Sequence, residues 1–330
     1  MKPTFLAKAL NNPFEDPCLY VRLLREKRAI LFDMGKLEPV ATSEANKVTE
    51  AFVTHTHIDH FIGFDHLLRN ILGRREPLRI YGPEEIIGCI QGKLSGYVWN
   101  LIGQYPLKIE AYGISQAGVR HVSFHARRKF EPSEAETVPL NEGMLFSDGH
   151  ITVKAAVLEH DIACIGYSME EDFHINIDKP ALEKLGLQVG PWLGEFKKAI
   201  RAGAPEDTVF EGMRLGELKE KISMITRGQK IAYIMDSSPS AENIQKITEL
   251  AKGADSMYCE AYFLDREAGR AAERSHLTAR IIGTIARDAG VGEMVIMHCS
   301  PRYQENAREI YEEAARYFGG RVSPAKGGQI

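Results

Sequence analysis

Four residues able to hold a metal ion fall within six positions at His55-Thr56-His57-Ile58-Asp59-His60, directly after the β-prone run Ala51-Phe52-Val53-Thr54. Histidine and aspartate are poor core residues unless paired or metal-bound, so packing gives no reason for such a density. In an extended or looping chain His55 and His57 point the same way and hold one ion, while Asp59 and His60 on the following turn reach a second. A fold built on this motif presents it at the C-terminal end of a strand, where α/β folds carry their sites.

The rest of the chain alternates two kinds of segment. Short apolar or β-branched runs read as strands: Arg28 to Phe32, Ala51 to Thr54, Leu78 to Tyr81, Ile151 to Val157, Ile231 to Met235 and Met294 to Met297. Helical patterns lie between them. Ser240 caps a helix whose apolar face is Ile244, Ile247 and Leu250, ending near Gly253; Thr278, Ile281, Ile282, Ile285 and Ala289 repeat the same spacing before Gly290. Strands alternating with helices predict α/β layers. With no internal repeat and no Gly/Ser-rich linker, the 330 residues are expected to form one domain, 1–330. Residues 171–228, where Gly190-Pro191 and Pro205 interrupt the rhythm, are expected to be an inserted arm.

Three later strand ends supply further ligands. His160 follows Val157-Leu158-Glu159, Asp236 ends Tyr233-Ile234-Met235, and His298 ends Val295-Ile296-Met297. Joined to the first motif they make a dinuclear set: His55, His57 and His160 on one ion, Asp59, His60 and His298 on the other, and Asp236 between them. Nitrogen and oxygen donors without thiolate suit Zn²⁺, with Mn²⁺ or Fe as alternatives.

Composition narrows the setting. Lys+Arg 41 against Asp+Glu 45 gives a net charge of −4, so a polyanion must be met by a local patch rather than by the whole molecule. No run approaches the ~18 uninterrupted apolar residues of a membrane span, and Met1-Lys2-Pro3-Thr4 opens no leader, so a cytoplasmic protein with no membrane partner is expected. Cys18, Cys89, Cys164, Cys259 and Cys299 are odd in number and widely spaced, which predicts reduced, mostly buried thiols.

The His-x-His-x-Asp-His motif, the late strand-end Asp236 and the last His298 resemble the metallo-β-lactamase superfamily, and the likeness narrows to ribonuclease Z, the tRNA 3′-processing endonuclease. It is carried by Ile80-Tyr81-Gly82-Pro83, by Cys259-Glu260-Ala261-Tyr262-Phe263 in the place of a His-Glu-Ala-Thr-Phe-like stretch, by Ser275-His276-Leu277-Thr278-Ala279, and by His298-Cys299-Ser300-Pro301-Arg302-Tyr303. The resemblance runs from about residue 28 to 318. It implies an αββα sandwich with the metals at one edge, a homodimer, and a tRNA-binding arm around Leu185 to Lys198. Two segments depart from the family pattern: Leu6 to Pro13 replaces a Gly-rich opening and the loop that shapes the tRNA 3′-end site, and Phe32-Asp33-Met34-Gly35-Lys36 replaces Phe-Asp-Cys-Gly-Glu.

For phosphodiester hydrolysis, two cations about 3.5–4 Å apart lower the pKa of a shared water to near 7 and stabilise both oxygens of an in-line displacement. Asp59 is then the group that orients or deprotonates the attacking water, and His276, outside the ligand set, suits a proton donor to the departing 3′ oxygen. By resemblance Glu260 holds His276 in place. Asp33 reads as a hydrogen-bond acceptor for a metal-bound histidine. Candidate phosphate contacts are Arg302 and, in the arm, Lys197 and Lys198. Local basic runs at Arg120 to Lys129, Arg69 to Arg75 and Lys197 to Arg201 are the surfaces an RNA could meet. Trp192 and Phe196 read as packing the arm's own core, with base stacking as the other role. A same-fold hydrolase of a small phosphodiester, cyclic nucleotide, ester or lactone is the alternative reading, and a noncatalytic RNA-binding protein with a relic site is a further one.

Overall fold

The computed structural model describes residues 5–328 apart from 25, 140–142 and 172; the opening Met1-Lys2-Pro3-Thr4 lies outside them. The strands β1 (Phe5–Ala9), β2 (Leu19–Leu23), β3 (Arg28–Phe32), β4 (Val48–Phe52), β5 (Leu78–Pro83), β6 (Lys108–Ser115), β7 (Gly118–His125) and β8 (Glu136–Val138) lie side by side in chain order in one sheet. Its centre, β3 to β6, is parallel, and its flanks are antiparallel hairpins.

The chain continues through β9 (Met144–Ser147), β10 (Ile151–His160) and β11 (Ile162–Glu171), then through four short strands, β12 (Phe173–Ile177), β13 (Val209–Phe210), β14 (Met213–Arg214) and β15 (Ser223–Arg227). It returns with β16 (Lys230–Ile234), β17 (Ser256–Glu260), β18 (Glu293–Met297) and β19 (Arg321–Pro324). The second large sheet has the order β19-β18-β17-β16-β11-β10-β9, with β16 to β19 parallel.

Period-two alternation decides what each strand face buries. In β3, Ala29 and Leu31 join Ala51, Val53, Leu78 and Ile80 in a core shared with Phe64, Leu67, Ile71, Ile86 and Ile90 of the helices Phe64–Ile71 and Ile86–Ser95. Phe32 and Phe52 turn the other way and meet Tyr167 and Tyr233 of the second sheet, ring centroids 5.4–6.0 Å apart. A matching core joins the second sheet to the helices Ala241–Ala251, Ala279–Asp288 and Ala307–Phe318. These four layers form an αββα sandwich. Two bonds tie the sheets at the end that carries the histidine motif: Tyr167 Oη donates to the Val53 carbonyl at 2.7 Å, and Ile165 N donates to the Thr54 carbonyl at 2.8 Å.

Ser240 caps its helix, accepting from Asn243 N at 3.2 Å. Thr278, expected inside a helix, instead caps it, its hydroxyl accepting from Ile281 N at 3.2 Å, because its extended backbone cannot join the helical ladder.

The chain divides into two compact units. The first holds Met1–Leu145, Val153–Met169 and Lys230–Ile330, and with them the sandwich and every metal candidate. The second holds Phe146–Thr152 and Glu170–Gln229. It pairs β12 with β15 and packs the helices Lys179–Lys184, Trp192–Arg201 and Leu215–Ile222 around Leu182, Leu193, Phe196, Leu215, Leu218 and Ile222. Phe196 is fully buried in that cluster, and the Trp192 indole donates to the Gln188 carbonyl at 3.0 Å. Among the described residues no helix is long and apolar enough to cross a membrane.

Candidate metal centre

Five of the site residues are delivered by the ends of strands. Asp33 follows β3, His55 follows β4, His160 ends β10, Asp236 follows β16, and His298 follows β18. Asp33, Asp236 and His298 take left-handed backbone at φ 56°, 46° and 48°. For residues other than glycine this conformation is uncommon and held only where the surroundings enforce it, and it collects at functional sites. The sharp turn it makes aims the side chain across the strand ends rather than along the sheet.

The turn bearing Asp59 and His60 is stitched to the segment after β3. Met34 N donates to the His60 carbonyl and Gly63 N to the Met34 carbonyl, both at 2.8 Å. A Cβ at Gly63 would lie 2.1 Å from the Gly35 carbonyl oxygen, so only glycine permits that approach.

The expected donors converge in two groups, and Asp236 also lies in a third with Glu260 and His276. Ligand atoms of His55, His57, His160 and Asp236 lie within 4.8 Å of one another, as do those of Asp59, His60 and His298. Asp236 joins them: its Oδ2 is 3.5 Å from His55 Nε2, 3.7 Å from His160 Nε2 and 3.3 Å from His60 Nε2, and its Oδ1 is 3.1 Å from His298 Nε2. Asp59 Oδ2 lies 3.6 Å from His60 Nε2 and 3.7 Å from His298 Nε2.

Neighbouring hydrogen bonds fix which imidazole nitrogen faces the centre. His60 Nδ1 meets Asp33 Oδ2 at 2.8 Å, and His160 Nδ1 meets the Ser275 carbonyl at 2.6 Å, which leaves each Nε2 for an ion. Asp33 is fully buried and also accepts from Thr54 N at 2.7 Å and Tyr233 Oη at 3.0 Å. A carboxylate held by so many donors is a fixed reference for His60.

The charges fit cations. Burial pushes the His55 imidazole far down, helped by the neighbouring His60, and burial likewise lowers His57. For His60, burial is outweighed by the charges of Asp33 and Asp236, which hold it well above the usual histidine range. For Asp236, burial would raise the carboxyl, but His298 and His60 hold it well below the usual range. His60 Nε2 and Asp236 Oδ1 are buried with no hydrogen-bond partner among the described residues, a costly state unless something else coordinates them. The donor set fits divalent metal ions.

A cavity of about 390 Å³ opens over the donors. Besides ligand candidates it is lined by Asp161, Tyr262, Glu273, Arg274 and His276. His276 Nδ1 meets Glu260 Oε2 at 2.8 Å and lies 3.6 Å from Asp236 Oδ1. Of the candidate phosphate contacts in the first unit, Arg302 does not line the cavity. Arg302 is ion-paired with Glu267 and sits 5.8 Å over the Phe263 ring, outside the described cavity lining. Lys197 and Lys198 belong to the second unit, where Lys198 pairs with Glu195 at 2.8 Å. Arg74, read as part of a basic run, is buried and caps the backbone carbonyls of Glu76, Val48 and Asn46, so it offers RNA nothing. In the basic run at Arg120 to Lys129, Arg120 faces Glu84 at 3.8 Å and His121 Nε2 meets Glu110 Oε2 at 2.6 Å. Tyr262 and Arg274 were missed by sequence reasoning, although both fall within or beside segments that carry the family resemblance.

No family model matches the chain. It is 28% identical over 319 residues to "Ribonuclease Z" of Deinococcus radiodurans, covering 94% of this chain and 95% of that protein. It is also 28% identical to "Ribonuclease Z" of Haloferax volcanii, covering 100% of this chain and 94% of that protein. Among solved structures it superposes on a metallo-β-lactamase fold protein of Bacillus subtilis with a TM-score of 0.59 at 15% identity, covering 99% of this chain and 98% of that one. The short form of human tRNase Z gives a TM-score of 0.50 at 21% identity, covering 91% and 93%. The chain therefore has the metallo-β-lactamase fold and is similar, over nearly its whole length, to proteins named ribonuclease Z.

Proposed function

We propose that this protein is a metal-dependent phosphodiesterase of the ribonuclease Z type, hydrolysing the phosphodiester that joins a tRNA to its 3′ trailer. The observation that carries this reading is the sharing of one buried carboxylate, Asp236, between two groups of imidazole donors beneath an open cavity. Similarity to proteins named ribonuclease Z supplies the substrate class.

His55, His57 and His160 would hold one cation and Asp59, His60 and His298 the other, with Asp236 between. Bound there, two divalent cations supply Lewis acidity toward the phosphodiester and a water acidic enough to attack at neutral pH. Zinc is the favoured metal, since imidazole and carboxylate donors without thiolate suit it. Asp59, with its side chain partly open to solvent, orients the attacking water and takes its proton. His276, with Nδ1 on Glu260, turns Nε2 toward the departing 3′ oxygen and protonates it.

The second unit serves as the RNA-binding arm in this reading, and the active species is a homodimer in which the arm of one subunit serves the site of the other. Five cysteines outside any disulfide agree with a cytoplasmic location.

The test is a paired assay on one zinc-loaded preparation, using a precursor tRNA with a 3′ trailer and bis(p-nitrophenyl) phosphate. Cleavage after the discriminator base supports the tRNA reading. Turnover of the small diester alone overturns it while keeping the phosphodiesterase chemistry.

A further inference from the structure

Among the described residues that line the cavity over the metal donors, Arg274 is the only lysine or arginine. The remaining wall is carboxylate, imidazole and one phenol, and its carboxylates repel a polyanion at close range. The Arg274 side chain is exposed, and no carboxylate among the described residues forms an ion pair with it, in contrast to Arg302, which Glu267 engages.

The backbone that carries this guanidinium is fixed. Ser275 is left-handed at φ 55°, its carbonyl accepts from His160 Nδ1 at 2.6 Å, and its hydroxyl donates to Asp161 Oδ1 at 2.9 Å. His276 N donates to the Ala271 carbonyl at 2.9 Å. One loop therefore orients the metal-facing nitrogen of His160, carries the proton donor His276, and presents a free guanidinium at the cavity rim. An arginine whose backbone is held this way offers its planar fork at the rim, where it matches two phosphate oxygens.

We propose that Arg274 binds the RNA phosphate that flanks the scissile one on the side of the departing 3′ oxygen, and so favours polynucleotides over isolated diesters. This rests on the phosphodiesterase reading above. The scissile phosphate falls to the seven metal donors. His276 faces the departing oxygen, and Arg274 shares its loop, so the next anion on that side of the RNA is the 5′ phosphate of the nucleotide that leaves.

A thermodynamic cycle on the metal-loaded protein tests the assignment. Wild type, Arg274→Ala and Arg274→Lys are compared on a precursor tRNA whose flanking phosphate is native or replaced by a neutral methylphosphonate. Loss of a charge-assisted hydrogen bond predicts a fall in kcat/KM of about 10- to 100-fold for Arg274→Ala on the native RNA, carried mainly by KM. The neutral linkage should shrink that fall to under about threefold, and Arg274→Lys should recover part of the native rate. An equal fall on both RNAs, or none on the native one, overturns the role of Arg274 while leaving the hydrolase reading intact. Failure of wild type to cut the native precursor overturns the parent reading and this inference with it.

Discussion

The Tyr262 ring lies flat on the His276 imidazole, with centroids 3.8 Å apart and planes 4° from parallel. Glu260, fully buried, meets His276 Nδ1 in the same arrangement. The imidazole is thus held on one face by a ring and at one nitrogen by a carboxylate, which leaves Nε2 as its working atom. Tyr262 stays a neutral phenol, because burial and then the Asp236 charge push its pKa up.

The hold on His276 sets a pH dependence. Burial alone would lower the imidazole's pKa, but the charge and hydrogen bond of Glu260, with Asp236 adding to them, raise it. A proton donor with a raised pKa is charged below that value and is lost as pH rises through it. Removing the Glu260 charge from beside the imidazole takes away the largest of the contributions that raise it, so Glu260→Gln should move the alkaline limb of kcat toward lower pH. Profiles of kcat against pH for the two metal-loaded proteins decide this, and an unmoved limb would sink the assignment of His276 as the acid.

Stacking and charge separate by a second pair of variants. Tyr262→Phe keeps the ring on the imidazole and should hold kcat within about threefold of wild type. Tyr262→Ala removes a stacking contact worth roughly 0.5–1.5 kcal/mol and should lower kcat by up to about tenfold at unchanged metal content. Equal rates for the phenylalanine and alanine proteins would show that the ring does not position His276.

Asp33 is the hub beneath His60, gathering Thr54, Tyr233 and His60 Nδ1 on one buried carboxylate. Removing such an outer partner of a metal ligand typically weakens metal affinity by about 10- to 100-fold. Asp33→Asn, which keeps the shape, should release metal to a chelator at correspondingly lower concentration. Competition titration against a chromogenic chelator measures this, and wild-type affinity in Asp33→Asn would mean that the Asp33 charge does not position His60 for the metal.

How much of this centre could be read from the chain depended on whether a residue's role was local. His55 to His60 announced themselves because four donors in six positions have no packing explanation, and Asp236 and His298 were found because each closes an apolar run that reads as a strand. The strand–helix rhythm led as far as α/β layers, and the αββα order was implied by the family resemblance. Roles set by distant partners stayed hidden. The Ser275 carbonyl meets His160 across 115 positions, and it is this contact that brings Arg274 to the rim. Arg302 is drawn off by Glu267, 35 positions earlier, which its place in the His298 to Tyr303 segment does not reveal, and Arg74 is drawn inward by carbonyls such as that of Val48 in β4, which a basic run does not reveal. Left-handed backbone at Ser275 and Asp161 is equally silent, since neither residue is a glycine.

Two substitutions separate holding the metals from using them. Asp236 reaches donors of both groups and is buried, so Asp236→Ala removes the shared carboxylate and should strip both ions and abolish hydrolysis. His276 also touches Asp236 but is engaged by Glu260 at a hydrogen-bonding distance, so His276→Ala should keep wild-type metal content and lower the rate by roughly 10² to 10⁴. Metal per chain by elemental analysis, read beside turnover, separates the outcomes. Near-normal turnover in Asp236→Ala would defeat the dinuclear assignment, whereas loss of metal in His276→Ala would move His276 out of proton transfer and into the ligand set.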